Sequence, residues 1–229
     1  MLDNLKTQVL IANKRLVSEN LVVLTWGNVS AFDAKTKLIV IKPSGVEYSN
    51  MTEEDLVVVD LDGNTVEGKL NPSSDTATHI EIYKAFPQIG GIVHTHSPEA
   101  TAWAQACRAI PCYGTTHADL FYGDVPCTRY LTEEEVNESY EKSTGIVIVD
   151  TFKDVDPLTK PGILVAGHAS FTWGRDANTA VDNAISLEVM ARMARYTLQI
   201  NPDSKTLPEF IKDKHYLRKH GKNAYYGQN

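Results

Sequence analysis

The sequence predicts an α/β protein, with a mixed and mostly antiparallel sheet covered by helices on both faces. Three observations lead there. Short β-branched runs follow one another directly between residues 22 and 63, separated by Gly, Asn, Pro and Ser turns, as neighbouring antiparallel strands do. Beyond residue 89, further apolar runs are interleaved with stretches of helical periodicity. Strands in series with helices threaded between them call for a sheet buried on both sides.

In chain order, Leu5, Val9, Ala12 and Leu16 recur at helical spacing, so residues 3–19 read as an amphipathic helix. "VVLTW" (22–26), "GNVSAFD" (27–33), "KLIVIK" (37–42) and "LVVVDLDG" (56–63) read as strands. "NPSSDTATHIEIYKAF" (71–86) opens with cap residues and spaces Ile80, Tyr83, Ala85 and Phe86 as a helix does, with Pro87 closing it. "IGGIVHTH" (89–96) is the next strand, and a helix follows with Ser97 as N-cap and Pro98 at its first position. "GIVIVD" (145–150) and "GILVAGHASFTWG" (162–174) read as strands. Residues 177–200 form a long helix with Val181, Ile185, Val189, Met193 and Ala194 on one face, and a last helix covers about 208–220, leaving the tail "GKNAYYGQN". No repeat or low-complexity linker divides the chain, so residues 1–229 read as a single domain.

Bulk properties exclude several classes. At 42% hydrophobic and 22% charged the chain is globular in composition rather than disordered. A net charge of −7, with no dense basic stripe before "KDKHYLRKHGK", argues against nucleic acid as a partner. No apolar run reaches the ~20 residues of a membrane span. The start lacks the unbroken apolar core of a signal peptide, and Cys107, Cys112 and Cys127 are odd in number without CxxC spacing, so the expected setting is a reducing cytoplasm.

The stretch "GIVHTHS" carries the first sign of chemistry. Residues i and i+2 of a strand share a face, so His94 and His96 lie side by side, and a divalent ion between them would hold both neutral. His168 leaves the sheet after another apolar strand, and Asp75 opens a helix that reaches the same edge. Three imidazoles and a carboxylate suit zinc or a similar ion with one position open. For Asp75 an ordinary helix N-cap role stands beside this one.

The turns "WGNVS", "KPSG" and "NPSSD" combine Gly, hydroxyls and a lysine, which is the chemistry of an anion pocket. The candidate phosphate ligands are Asn28, Lys42, Ser44, Gly45, Ser73 and Ser74.

"LTWGNVS", "IKPSGV", "PSSDT", "GGIVHTHS", "GTTHAD" and "DKHYLRKHGKNAYYGQ" together resemble the class II aldolase/epimerase family, on its sugar-phosphate 4-epimerase side, and the resemblance runs essentially from end to end. It implies a three-layer α/β/α subunit, a cyclic homotetramer with active sites between neighbours, and one zinc, manganese or cobalt ion per subunit. His94, His96 and His168 would be the metal ligands, with Asp75 in or beside them. Around the third ligand the family pattern reads "HSHGPF", whereas this chain has "AGHASF" (166–171), which changes the surroundings of His168 and keeps the imidazole.

The activity the resemblance implies is inversion at C4 of a ketopentose phosphate, L-ribulose 5-phosphate to D-xylulose 5-phosphate, in L-arabinose or L-ascorbate breakdown. The C4 hydrogen is one carbon too far from the C2 carbonyl to be acidic. Breaking C3–C4 instead gives a three-carbon enediolate and glycolaldehyde phosphate, whose aldehyde rotates before the bond re-forms. The C4 oxygen loses a proton on one side and regains it on the other, so two acid/base groups are needed. By the resemblance these are Asp119 and Tyr226, the latter from an adjacent subunit, with His215 supporting and Thr115 and Glu141 orienting. The basic run around Lys214, Arg218 and Lys219 reads as interface, anion-facing surface or a solvated helix face.

Two alternatives stand beside it. A class II sugar-phosphate aldolase would share the metal and the enediolate but release the fragments; relatives of that kind tend to carry glutamate at the Asp75 position. A non-catalytic binding module such as the adducin head would have lost the histidines, which this chain keeps.

Overall fold

The structure is a computed structural model and describes residues 2–226. Its centre is a seven-stranded sheet in the order β4-β3-β2-β1-β5-β7-β6. The strands are β1 (Asn28–Asp33), β2 (Leu38–Ile41), β3 (Val57–Asp60), β4 (Thr65–Glu67), β5 (Gly91–Thr95), β6 (Gly162–Leu164) and β7 (Ser170–Gly174). Every pairing between them is antiparallel; a parallel bridge occurs at Cys127–Leu164, outside the ladder.

Among the described residues seven α-helices accompany the sheet: α1 (Asp3–Ser18), α2 (Thr76–Ala85), α3 (Pro98–Gln105), α4 (Thr115–Ala118), α5 (Glu133–Thr151), α6 (Ala177–Ile200) and α7 (Glu209–His220). Strand alternation sorts the core into two layers. Phe32, Ile39, Ile41, Val57, Val59 and Ile92 pack with Ile82 and Tyr83 of α2 and Ile148 of α5. The intervening residues Val29, Ala31, Val40, Val58 and Val93 pack on the other face with Val9 and Leu16 of α1 and Val181 of α6. This is the three-layer α/β/α arrangement the sequence predicts. It also fixes the site, because Asn28, Ser30 and His94 share the parity of the α2/α5 face.

Three expectations are corrected. "GIVIVD" is the C-terminal half of α5 and not a strand. The helix begins at a capping box, with the Thr132 side chain accepting from Glu135 N, and a non-helical Ser139 (φ −168°, ψ 90°) kinks it before this segment. Gly145 then lets α5 lie on α2, since a Cβ there would stand 2.7 Å from Glu81 Cβ and 3.0 Å from the Thr78 carbonyl. "VVLTW" is a turn, with Leu24 at φ 54° and Leu24 and Trp26 exposed. On α6, Val189 and Met193 face outward, and the buried line runs through Ala180, Val181, Ala184, Leu187 and Ala191. The small residues let the helix sit close on the sheet.

Candidate active site

The loop preceding α2 and the ends of β1, β2, β5 and β7 enclose a cavity of about 580 Å³. Its walls carry Asn28, Lys42, Ser44, Gly45, Ser73, Ser74, Asp75, Glu141 and all three proposed metal histidines. The loops that supply the hydroxyls are zipped together: Ser44 N donates to the Asn71 carbonyl and Ser73 N to the Lys42 carbonyl, each at 3.0 Å. Lys42 is buried, its ammonium 3.2 Å from the Pro43 carbonyl and 4.8 Å from the centre of the Tyr48 ring, and burial holds its pKa below the ordinary lysine value. Two of the other polar residues, Ser44 and Ser74, are exposed at the mouth.

The imidazoles form one cluster, with a ligand atom from each of His94, His96 and His168 within 4.8 Å of the others. His94 donates from Nδ1 to the Ser170 carbonyl at 3.0 Å, which leaves its Nε2 as a lone pair turned toward His96 Nε2 at 3.1 Å. Two facing imidazole nitrogens at that distance have room for one proton or need a shared cation. Burial, and then the neighbouring imidazoles, lower His168 to about 4 and hold His96 below its ordinary value, so both are neutral at neutral pH. Convergent, and with the His94 tautomer set by its bond to the Ser170 carbonyl, these donors fit a divalent metal.

Asp75 stands at the N-cap position of α2, but its carboxylate makes no capping bond. It accepts instead from Asn28 Nδ2 at 2.7 Å and lies 4.0 Å from His94 Nε2. Burial pushes its carboxyl up, while the fields of His94 and His79 and the Asn28 bond outweigh it and leave the pKa lowered. Asn28 also donates to Ser73 Oγ at 3.0 Å, so one amide ties the anion loop to the carboxylate. Across the sheet Asn28 is the register partner of His94. Gly27, at φ 100°, makes that junction possible: a Cβ would stand 2.8 Å from the His94 carbonyl.

Asp119 and Tyr226 do not line this cavity. Asp119 follows α4, whose first residue is Thr115, and its carboxylate faces α7: His215 Nδ1 donates to Oδ1 at 3.1 Å, Arg218 Nε to Oδ1 at 3.0 Å and Arg218 Nη2 to Oδ2 at 2.5 Å. Tyr226 is 58% exposed and its ring lies 4.8 Å from the Arg218 guanidinium. Within one chain, then, the histidine cluster and the predicted acid/base pair are separate places. Gly227, Gln228 and Asn229 of the predicted tail lie outside the described residues.

Sequence reasoning missed several residues. Tyr140, next to the Ser139 kink, lines the cavity with its hydroxyl 3.5 Å from His168 Nδ1. Tyr48 donates to the Gly27 carbonyl at 2.7 Å beneath Lys42. Arg218 and Lys219 face Asp119 rather than bulk solvent, and the i, i+3 spacing of His215 and Arg218 was the available signal. His79 of α2 is wholly buried behind the cavity, bonded through Nδ1 to Ser30 Oγ at 2.7 Å.

The fold and site define a class: a three-layer α/β/α protein with three convergent imidazoles in a cavity lined by hydroxyls and a buried lysine. More particularly, the chain belongs to the class II aldolase and adducin N-terminal domain family, which matches residues 7–195. It is 56% identical over 227 residues to "L-ribulose-5-phosphate 4-epimerase UlaF" of Salmonella paratyphi A, and equally to that of Salmonella typhi, covering 99% of this chain and 100% of each relative. Among solved structures it resembles an "L-fuculose 1-phosphate aldolase" at TM-score 0.78, with 24% identity over 93% of this chain and 94% of that one. It also resembles the "l-fuculose-1-phosphate aldolase" of Thermus thermophilus at TM-score 0.69, with 22% identity over 89% and 98%. At these identities the structures speak for the fold alone.

Proposed function

We propose that the protein is a metal-dependent epimerase that interconverts L-ribulose 5-phosphate and D-xylulose 5-phosphate by cleaving and re-forming the C3–C4 bond. The observation that carries the reading is the 56% identity, over the whole length of both chains, to proteins named for that reaction. His94, His96 and His168, with Asp75 beside them, would hold one zinc, manganese or cobalt ion. When bound, that ion supplies Lewis-acid stabilisation of the negative charge that C3–C4 cleavage leaves on the three-carbon fragment.

The chain's own residues supply the rest. Lys42 and the loops of Ser44, Gly45, Ser73 and Ser74 grip the phosphate, so the two-carbon aldehyde stays tethered while it turns its other face. Asn28 holds Asp75 and the Ser73 loop in register during that turn. Asp119 takes or returns the C4 hydroxyl proton on one side and Tyr226 does so on the other. His215 steadies Asp119, and Thr115 and Glu141 orient the reacting groups.

Since neither Asp119 nor Tyr226 lines the histidine cavity of its own chain, the reading needs a neighbouring copy to bring both, in a head-to-tail homotetramer with sites at the interfaces. The setting proposed is cytoplasmic, in L-arabinose or L-ascorbate breakdown, with a sugar phosphate as the partner in place of nucleic acid or membrane. No helix of the described residues is long and apolar enough to cross a membrane.

The test is turnover of L-ribulose 5-phosphate by purified protein, stripped and then reloaded with zinc, manganese or cobalt. Metal-dependent D-xylulose 5-phosphate supports the reading. Accumulation of free dihydroxyacetone and glycolaldehyde phosphate in its place moves the protein to the aldolases.

A further inference from the structure

Arg218 makes three different attachments. Its side chain grips Asp119 by two points, Nε to Oδ1 at 3.0 Å and Nη2 to Oδ2 at 2.5 Å. Its guanidinium lies over the Tyr226 ring at 4.8 Å. Its carbonyl, at the end of α7, accepts from Tyr225 N at 2.9 Å and from Tyr226 N at 3.1 Å. The backbone of Asp119 is held as well, because His220 Nε2 donates to its carbonyl at 2.9 Å.

We infer that Arg218 is a positioning residue for both acid/base groups, fixing the plane of the Asp119 carboxylate and its separation from the Tyr226 ring. The inference rests on the epimerase reading given above. A carboxylate has about four acceptor positions. Oδ1 receives His215 Nδ1 and Arg218 Nε, and Oδ2 receives Arg218 Nη2, which leaves one position on Oδ2 for a substrate hydroxyl. A flat, two-point donor both orients the carboxylate plane and lays a planar face on an aromatic ring; the Lys219 ammonium also lies 4.4 Å from the Tyr226 ring, but as a point charge it fixes neither plane.

The groups facing the carboxylate all come from α7: His215, Arg218, and Lys219 with its ammonium at 3.9 Å. Burial alone raises the Asp119 pKa; the hydrogen bonds of Arg218 and His215 and the charges of Lys219 and Arg218 reverse that and leave it lowered. With Arg218 gone, burial is opposed only by His215 and Lys219, so the pKa rises.

The experiment compares Arg218→Met and Arg218→Lys with the unaltered metal-loaded protein by kcat–pH profile, metal content and carbon-detected NMR titration of the Asp119 carboxyl. Expected for Arg218→Met are full metal content, kcat lower by tenfold or more (about the loss from slight misplacement of a reacting group), and an acidic limb and NMR midpoint both moved to higher pH. Arg218→Lys restores part of the midpoint and little of kcat. An unmoved NMR midpoint, or an unchanged profile in an enzyme that epimerises, overturns the inference. A midpoint that moves in a protein without epimerase activity strikes the functional reading instead, and with it the catalytic part of this one.

Discussion

The Nε2 atoms of His94 and His96 face each other at 3.1 Å, and the Nδ1 of His94 is already committed to the Ser170 carbonyl. The pair is therefore built to share something. One divalent ion should bind per chain and raise the thermal midpoint, as any ligand selective for the folded state does. His96→Asn should lose metal affinity by at least the ~10–100-fold that loss of a supporting partner costs elsewhere, and lose turnover with it. Calorimetric titration with zinc checks both; tight binding by His96→Asn would remove that residue from the ligand set.

Asp119 and Tyr226 should separate from the metal site in their mutational behaviour. Asp119→Asn and Tyr226→Phe are each expected to keep full metal content while epimerisation drops ~10²-fold or more, the range for loss of a general acid or base. Normal turnover in either variant excludes that residue from proton transfer.

The separation of the two halves within a chain makes a further prediction. His96→Asn and Asp119→Asn chains, each inactive alone, should regain activity when co-expressed. In a head-to-tail ring about a quarter of the sites of a one-to-one mixture would join two intact halves. Failure of purified mixed tetramers to turn over would place both halves in the same chain.

Acid should destabilise the fold before carboxylates titrate. His117 is buried with Nε2 donating to the Gly123 carbonyl at 2.9 Å, and burial lowers it to about 4; His79 is pressed by burial to about 3. Each is neutral when folded and takes a proton near pH 6.5 when unfolded, so the unfolded state binds more protons below that pH. Stability should be full above about pH 6.5 and fall as pH drops toward 4, with His117 alone contributing up to about 3 kcal/mol. Urea midpoints between pH 8 and 4.5 measure it. A slope in that range unchanged in His117→Gln would show that this histidine is not responsible.

Gly145→Val should test the contact between α2 and α5. The added atoms meet Glu81 Cβ and the Thr78 carbonyl, neither of which is the loose end of a side chain, so a cost of about 1–3 kcal/mol is expected. Because α2 carries Asp75 at its start and α5 carries Glu141, activity should fall further than stability alone explains. A variant with unchanged midpoint and turnover would mean the helices yield freely there.

Much of the site was legible in residue order. A two-residue strand period puts His94 and His96 on one face wherever the strand lies, and Gly-, Ser- and Asn-rich turns announce loops that present backbone to a ligand. The segment 145–150 was not legible, because a short β-branched run has no period of its own; its packing on α2, with Gly145 seated close against Glu81 and Thr78, decides for helix. Asp75 shows the same limit, since its place in the sequence says N-cap while its carboxylate turns to Asn28.

By itself the sequence determined the local chemistry: which side chains share a strand face, which turns are small and hydroxylated, and which family motifs the chain carries. Tertiary structure decided which of these meet. Sheet order sets β1 between β2 and β5, so Asn28 faces His94, and the zipped loops bring Lys42 and Ser73 to the same cavity. It also turned Arg218 inward onto Asp119. The physical reason is range: periodicity and turn chemistry act within a few residues, whereas Asn28 with Asp75 and Asp119 with Arg218 are contacts 47 and 99 residues apart, chosen by how buried layers pack.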